Sequence, residues 1–131
     1  IFGNHEFDLP RDKLFARIGE FKGTFINSNL RNHSTSKLPR VFDRAIIRAR
    51  NKDGSHCRTI GFFSMLTNAK SCYRPGSLGG ATISDPWETA KEFSKKLKVQ
   101  DEVDLVIPLS HMYVNDDTKT CNEFDFPLII S

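Results

Sequence analysis

The sequence predicts a mixed α/β (α+β) chain, on three observations. Residues 9–27 read as a helix followed by a strand, residues 41–65 as a β-hairpin, and residues 84–109 as an amphipathic helix followed by a near-continuous apolar run. Helices that alternate with strands, one of them apolar on both faces, form packed α/β layers. At 131 residues the chain is about one domain long, and a hydrophobic content of 38% with 11 Phe suffices for a core. The net charge of +3 is too small to argue for a nucleic-acid partner. The longest apolar runs are too short to span a bilayer.

Taken in order, Ile1-Phe2 reads as the end of a buried strand, stopped by Gly3 and followed at once by Asn4, His5, Glu6, Phe7 and Asp8. A rigid strand that ends in polar groups fixes where they point, which is a site architecture. Gly3 suits a tight turn or the close approach of another group. Asp8 is placed to cap a helix over residues 9–20 with Pro10 in its first turn, and Leu14, Phe15, Ile18 and Phe21 recur at helical spacing. Thr24 to Asn27 begins a short strand, and residues 30–40 read as a polar, basic loop.

From Val41 to Arg50 the pattern alternates, with Ala45, Ile47 and Ala49 on one face and Arg44, Arg48 and Arg50 on the other. Asn51-Lys52-Asp53-Gly54 is a strong turn signal, and Thr59 to Met65 supplies the returning strand. The arginine face reads as a solvated hairpin face whose charges discourage edge pairing. It lacks the interleaved aromatic residues of a single-strand stacking platform, so no nucleic-acid partner is expected. Residues 66–83 form a connection rich in Ser, Gly and Asn, of a length that is often functional, with Lys70 and Arg74 as its candidate anion contacts.

The clearest element is the next helix, capped by Ser84 or Asp85, opened by Pro86, and marked on one face by Trp87, Ala90, Phe93 and Leu97. Lys95, Lys96 and Lys98 suit its C-terminal end. Val103 to Leu109 then reads as a buried strand that ends in Ser110-His111. A polar stretch with Asn115, Asp116 and Asp117 follows, then weak periodicity over 121–125 and a final apolar run that closes on Leu128-Ile129-Ile130-Ser131. The chain opens in mid-motif and closes on an apolar strand, so truncation at both ends is expected. Cys57, Cys72 and Cys121 contain no Cys-x-x-Cys pair and read as separate thiols rather than a zinc site or disulfide framework.

Two strand ends thus carry groups that bind divalent metals, the Asn4 amide oxygen and a His111 ring nitrogen. Neutral ligands add coordination without negative charge, which preserves Lewis acidity toward an anionic substrate. His5 is placed to offer a proton or hydrogen bond to a phosphoryl oxygen, with Asp8 to orient its ring. Each residue also has a plainer reading: a hydrogen-bonded histidine, or an aspartate that only caps a helix.

Gly3-Asn4-His5-Glu6-Phe7-Asp8 resembles the Gly-Asn-His-Asp/Glu signature of the calcineurin-like metallophosphoesterases, and its Phe-Asp ending looks most like the 5′-nucleotidase and UDP-sugar hydrolase branch. The resemblance continues through Asp85-Pro86 at a helix start, Leu109-Ser110-His111 at a strand end, and the closing Leu128-Ile129-Ile130-Ser131. It implies that residues 1–131 are the central part of a single catalytic domain, within a sandwich of two mixed sheets flanked by helices. It also implies a two-metal centre of Zn, Mn, Fe or Mg, with Asn4 and His111 as metal ligands and His5 and Asp8 as catalytic residues. The substrate implied is a phosphorylated small molecule such as a nucleotide, hydrolysed by attack of metal-activated hydroxide on phosphorus. The family's other ligand motifs, Asp-x-His, Gly-Asp and Gly-His-x-His, are not within these residues, so the isolated piece is expected to be inactive. After His111 the branch often has a Gly-containing turn, whereas this chain reads Met112-Tyr113-Val114-Asn115. The alternative expectation is a non-catalytic binding or interaction module that keeps the fold.

Overall fold

The computed structural model describes residues 1–131, the side chain of Ser36 apart. Its principal sheet contains β4 (Ala45–Arg50), β5 (Cys57–Leu66) and β7 (Leu105–His111), in the order β4-β5-β7. The 51–54 turn signal is borne out: β4 and β5 form an antiparallel hairpin with Ala45 opposite Phe62 and Arg50 opposite Cys57. β7 joins β5 in parallel, with Ile60 paired to Leu105 and Leu66 to His111. Two smaller sheets pair β1 (Phe25–Ile26) in parallel with β3 (Val41–Phe42), and β2 (Leu30–Arg31) antiparallel with β6 (Thr82–Ile83). Helices α1 (Arg11–Glu20), α2 (Pro86–Lys95) and α3 (Val114–Phe124) complete the mixed α/β architecture.

β5 is shared by two cores. Phe63 and Met65 pack with Ala90, Phe93 and Leu97 of the α2 region and with Val103, Val106 and Phe126. Leu66 turns the other way, into a cluster with Phe2, Phe7, Leu14, Ile18, Leu30 and Ala81. Opposite pointing of successive residues is the pleat of the strand. Gly61 is required for the first core to close: a Cβ there would lie 2.7 Å from Leu97 Cδ2. On the second face Ser64 and Ser28 exchange hydrogen bonds of 3.0 and 2.8 Å through their backbone amides and hydroxyls. Asn29 donates to Leu66 O at 2.7 Å and accepts from Leu66 N at 3.0 Å, so its amide mimics a neighbouring strand.

The α2 expectation holds in detail. Asp85 Oδ1 accepts from the amides of Trp87 and Glu88, and Ala90 and Phe93 are buried, as is Leu97 in the π-helical turn that follows. Other expectations need correction. Residues 1–3 lie in no strand; Phe2 is instead buried by its ring against Phe7 and Phe25. Asp8 does not cap α1, which begins at Arg11 with Pro10 as N-cap and no side-chain cap bond. Residues 30–40 are not wholly loop, since they include β2 and a 3₁₀ turn at Ser34–Lys37.

The arginine face of the hairpin also differs. β4 is largely exposed on both faces, so its alternation does not sort core from solvent. Arg44 precedes the strand and grips Asp101 through Nε at 2.5 Å, while its Nη1 lies 3.0 Å from Asp43. Lys96 Nζ reaches Asp43 at 2.8 Å, which ties the start of the hairpin to the end of α2. The stretch after His111 is helical as α3, whose fully buried residues are Asp117 and Thr120, with Cys121 and Phe124 partly buried against the first core. The closing apolar run meets β7 through a single parallel bridge between Leu109 and Ile130. No helix is long and apolar enough to cross a membrane among the described residues.

Candidate active site

The opening polar run sits on a 3₁₀ turn, Asn4–Asp8, which its one buried residue, Phe7, anchors. The Phe7 ring lies 5.5 Å from Phe2, 5.6 Å from His33 and 6.1 Å from Tyr73. With Phe7 turned into this aromatic cluster, its neighbours project outward. Glu6 closes the turn by accepting from Gly3 N at 2.6 Å.

His111 arrives from the opposite end of the sequence. β7 delivers it beside the end of β5, where Thr67 N donates to His111 O at 3.1 Å. Its Nε2 lies 2.9 Å from Asn4 Oδ1 across a separation of 107 residues. Asn4 Nδ2 donates to Cys72 O at 3.2 Å, which turns the amide oxygen toward the imidazole. Gly3 makes room for this meeting. Its backbone is ordinary and extended, but an added Cβ would stand 3.0 Å from both His111 Nε2 and Glu6 Oε2. Of the two roles open to Gly3, close approach is the one observed. A cavity of about 200 Å³ opens here, lined by Asn4, Thr67, Cys72, His111, Met112 and Tyr113.

His5 points to solvent with 83% of its side chain exposed, and its Nδ1 lies 2.9 Å from Asp8 Oδ2. The second carboxylate oxygen of Asp8 faces Arg74 Nε at 3.2 Å. The hydrogen bond from His5, reinforced by the Arg74 charge, holds the Asp8 carboxyl below its ordinary range. The imidazole is therefore fixed through Nδ1, which leaves Nε2 as the nitrogen available to a ligand.

The structure brings the four expected residues together as two pairs, Asn4 with His111 and His5 with Asp8. The sequence reading did not foresee Cys72, whose carbonyl orients Asn4 and whose Sγ lies 3.3 Å from Tyr113 Oη. Nor did it assign Arg74 to Asp8. The available signal was the length of the 66–83 connection, which supplies both. Tyr73, from the same segment, is half-buried and donates to Thr67 O at 2.5 Å, and burial pushes its phenol well above its ordinary range.

Two ligand atoms about 2.1 Å from one cation and at a right angle stand about 3.0 Å apart. The 2.9 Å between Asn4 Oδ1 and His111 Nε2 suits adjacent corners of one coordination shell. That distance is also an ordinary hydrogen bond, so the pair is compatible with part of a coordination shell without marking one. Among the described residues, no group of three or more His, Cys, Asp or Glu side chains is placed to hold a metal ion.

No family model matches the chain. A 5′-nucleotidase of Vibrio cholerae is 32% identical over 110 residues, which covers 84% of this chain and 19% of that protein. An apyrase of Tabanus yao is 25% identical over 116 residues, covering 88% of this chain and 20% of the apyrase. Among solved structures, the Haemophilus influenzae NAD nucleotidase superposes with a TM-score of 0.68 at 22% identity, over 91% of this chain and 22% of that one. The calcineurin-like phosphoesterase YfkN of Bacillus subtilis gives 0.67 at 24% identity, over 86% and 34%. The chain therefore spans about a fifth of the length of the curated relatives it matches.

Proposed function

We propose that this chain, a distant relative of part of the 5′-nucleotidases that is folded as part of a calcineurin-like phosphoesterase, supplies one wall of a metal-dependent phosphoester hydrolase centre. The reading takes residues 1–131 as the central part of a single catalytic domain and their small sheets as portions of its two-sheet sandwich. The observation that carries it is the meeting of Asn4 Oδ1 and His111 Nε2 at 2.9 Å, beside a histidine that is oriented yet exposed.

Asn4 and His111 would hold a divalent ion, one of two in the complete centre. Such ions, when bound, supply Lewis acidity toward a phosphoryl oxygen and toward water. To serve as a ligand, His111 Nε2 gives up the proton it now donates to Asn4 and carries its proton on Nδ1. Asn4 keeps its orientation, because its amide nitrogen remains bonded to Cys72 O. His5 stands one residue from that donor, and Asp8 fixes its Nδ1. Its Nε2 is then positioned to donate to a phosphoryl or leaving oxygen as charge develops there. The 5′-nucleotidase relationship supports a nucleotide as the substrate class.

The test is hydrolysis of a nucleoside monophosphate and an aryl phosphate by the full-length protein with Mn²⁺ or Zn²⁺. Asn4→Ala and His5→Ala should each remove most turnover. Unchanged rates would sink the assignment. Two neutral donors hold an ion weakly, so residues 1–131 alone should show no turnover with either metal, and a measurable rate from that piece would contradict the incomplete-site reading.

A further inference from the structure

We propose that His33 is a positioning residue for the candidate site: its neutral imidazole seats the turn that carries Asn4 and His5, and its protonation releases that turn. The inference rests on the phosphoesterase reading for what the turn does, not for whether it moves. His33 is buried, with 4% of its surface exposed. Its ring centre lies 6.4 Å from that of Phe2, 5.6 Å from Phe7 and 6.2 Å from Phe15, each pair nearly perpendicular. Phe2 and Phe7 bracket residues 3–6, so one imidazole touches both apolar anchors of the segment that presents Asn4 and His5. Phe15 ties the same ring to α1.

These contacts suit a neutral ring with Nδ1 as acceptor. Thr35 N donates to Nδ1 at 3.4 Å, which makes His33 the N-cap of the 3₁₀ turn Ser34–Lys37. The Thr35 hydroxyl lies 2.6 Å from the same nitrogen, and Thr35 is itself wholly buried. A proton on Nδ1 would set donor against donor at the Thr35 amide and place a cation among three phenyl rings. Burial first, and the Arg11 charge from α1 second, hold the imidazole below its ordinary 6.5. Arg31, two residues back on β2, is turned to Ser84 and Glu92. On the opening turn, Glu6 is engaged by Gly3 N, and Asp8 by His5 and Arg74. Tyr73, packed against Phe7, stays a neutral phenol.

Linkage makes acid favour release. The seated turn keeps His33 neutral, whereas a released turn lets it protonate at the ordinary value. The seated form therefore holds its full advantage above about pH 6.5 and loses it as pH falls toward the lower folded value, by at most about tenfold per pH unit. β7 carries His111 independently of the turn, so release widens the 2.9 Å approach of Asn4 Oδ1 to His111 Nε2.

The experiment follows amide hydrogen exchange of residues 2–9 in the full-length protein, corrected for the intrinsic effect of pH, with residues 86–95 of α2 as the internal reference. Exchange is chosen because turnover would also respond to His5 and His111 themselves. Opening of residues 2–9 should rise about threefold to tenfold between about pH 7.5 and about pH 5.5, while the reference stays level. His33→Asn keeps an acceptor suited to an N-cap but cannot take a proton, and should flatten the rise. A flat wild-type profile, an equal rise in the reference, or a variant that still follows wild type overturns the inference. Should the variant fail to fold, the NMR titration of the His33 ring in wild type decides: a midpoint below the ordinary value supports the inference, and one at or above it overturns it. If the full-length protein hydrolyses no phosphoester, the phosphoesterase reading fails, and the exchange result still stands for the turn.

Discussion

Ser110 Oγ donates a 2.5 Å hydrogen bond to Asp117 Oδ1 inside the protein, where the two residues keep only 2% and 8% of their surface. The bond joins the end of β7 to the first turn of α3, one residue before His111. Asp117 Oδ2 has no partner among the described residues, so this hydroxyl is the carboxyl's one hydrogen-bonding contact.

Ser110→Ala should therefore leave a buried carboxyl unpaired and cost about 1–3 kcal/mol. A lower urea midpoint with an unchanged slope would register it. An unchanged midpoint would mean that Asp117 finds another partner or water.

On the proposed reading, His5→Ala and Asp8→Asn separate the group that would face substrate from the one that holds it. Loss of His5 should lower kcat about 10²–10⁴-fold, the range of a positioned acid or base. Asp8→Asn preserves shape but removes the negative charge shared by His5 and Arg74, and should cost about 10–100-fold. The double variant should be little worse than His5→Ala, since Asp8 acts through His5. Additive losses would show that Asp8 has a separate role.

Acid should loosen the clasp between hairpin and α2. The Arg44 hydrogen bond holds Asp101 below its ordinary 3.8. Despite burial, which acts the other way, Lys96 and Arg44 also hold Asp43 below 3.8. A carboxyl with a depressed folded value contributes stability that is fully present above the unfolded value and is lost as pH falls through the folded one. Thermal melting should therefore show an increment at pH 5 that shrinks below about pH 4. Asp101→Asn should flatten that part of the profile, and a parallel profile would refute the clasp.

Gly3→Ala tests the site with little change to the cores. The new Cβ would press on His111 Nε2 and Glu6 Oε2, each 3.0 Å away. Turnover should fall at least about tenfold, in line with the sensitivity of catalysis to small displacements. The melting temperature should fall by only a few degrees, because neither apolar cluster is altered. Equal turnover would show that the imidazole has room to retreat.

The parts legible in the sequence are those whose periodicity and local chemistry agree. α2 combines an Asp85 cap, Pro86 and a regular apolar face, and the hairpin has an unambiguous Asn-Lys-Asp-Gly turn. α3 was obscured because its fully buried positions are the polar Asp117 and Thr120, and the apolar residues it packs on the core, Cys121 and Phe124, are only partly buried. β2 and β6 are only two residues each, too short for a period, and the nearby Asn29 amide links them to β5. Of the candidate site, Asn4, His5, Asp8 and His111 stand out by residue type and order, and the structure places them as two pairs. The contacts from Cys72 O and Arg74 do not stand out, because a backbone carbonyl has no sequence signature and an exposed arginine looks like any other.

Asn4 and His111 are each secured by a different apolar cluster, one through Phe2 and Phe7, the other through the strand beside Phe63 and Met65. β5 belongs to both clusters and so acts as the common datum for their positions. A displacement of either side relative to the other is transmitted to the gap between the amide oxygen and the imidazole. A chain built this way can exchange much of its surface freely, whereas a substitution in either cluster bears on that alignment through the strand they share.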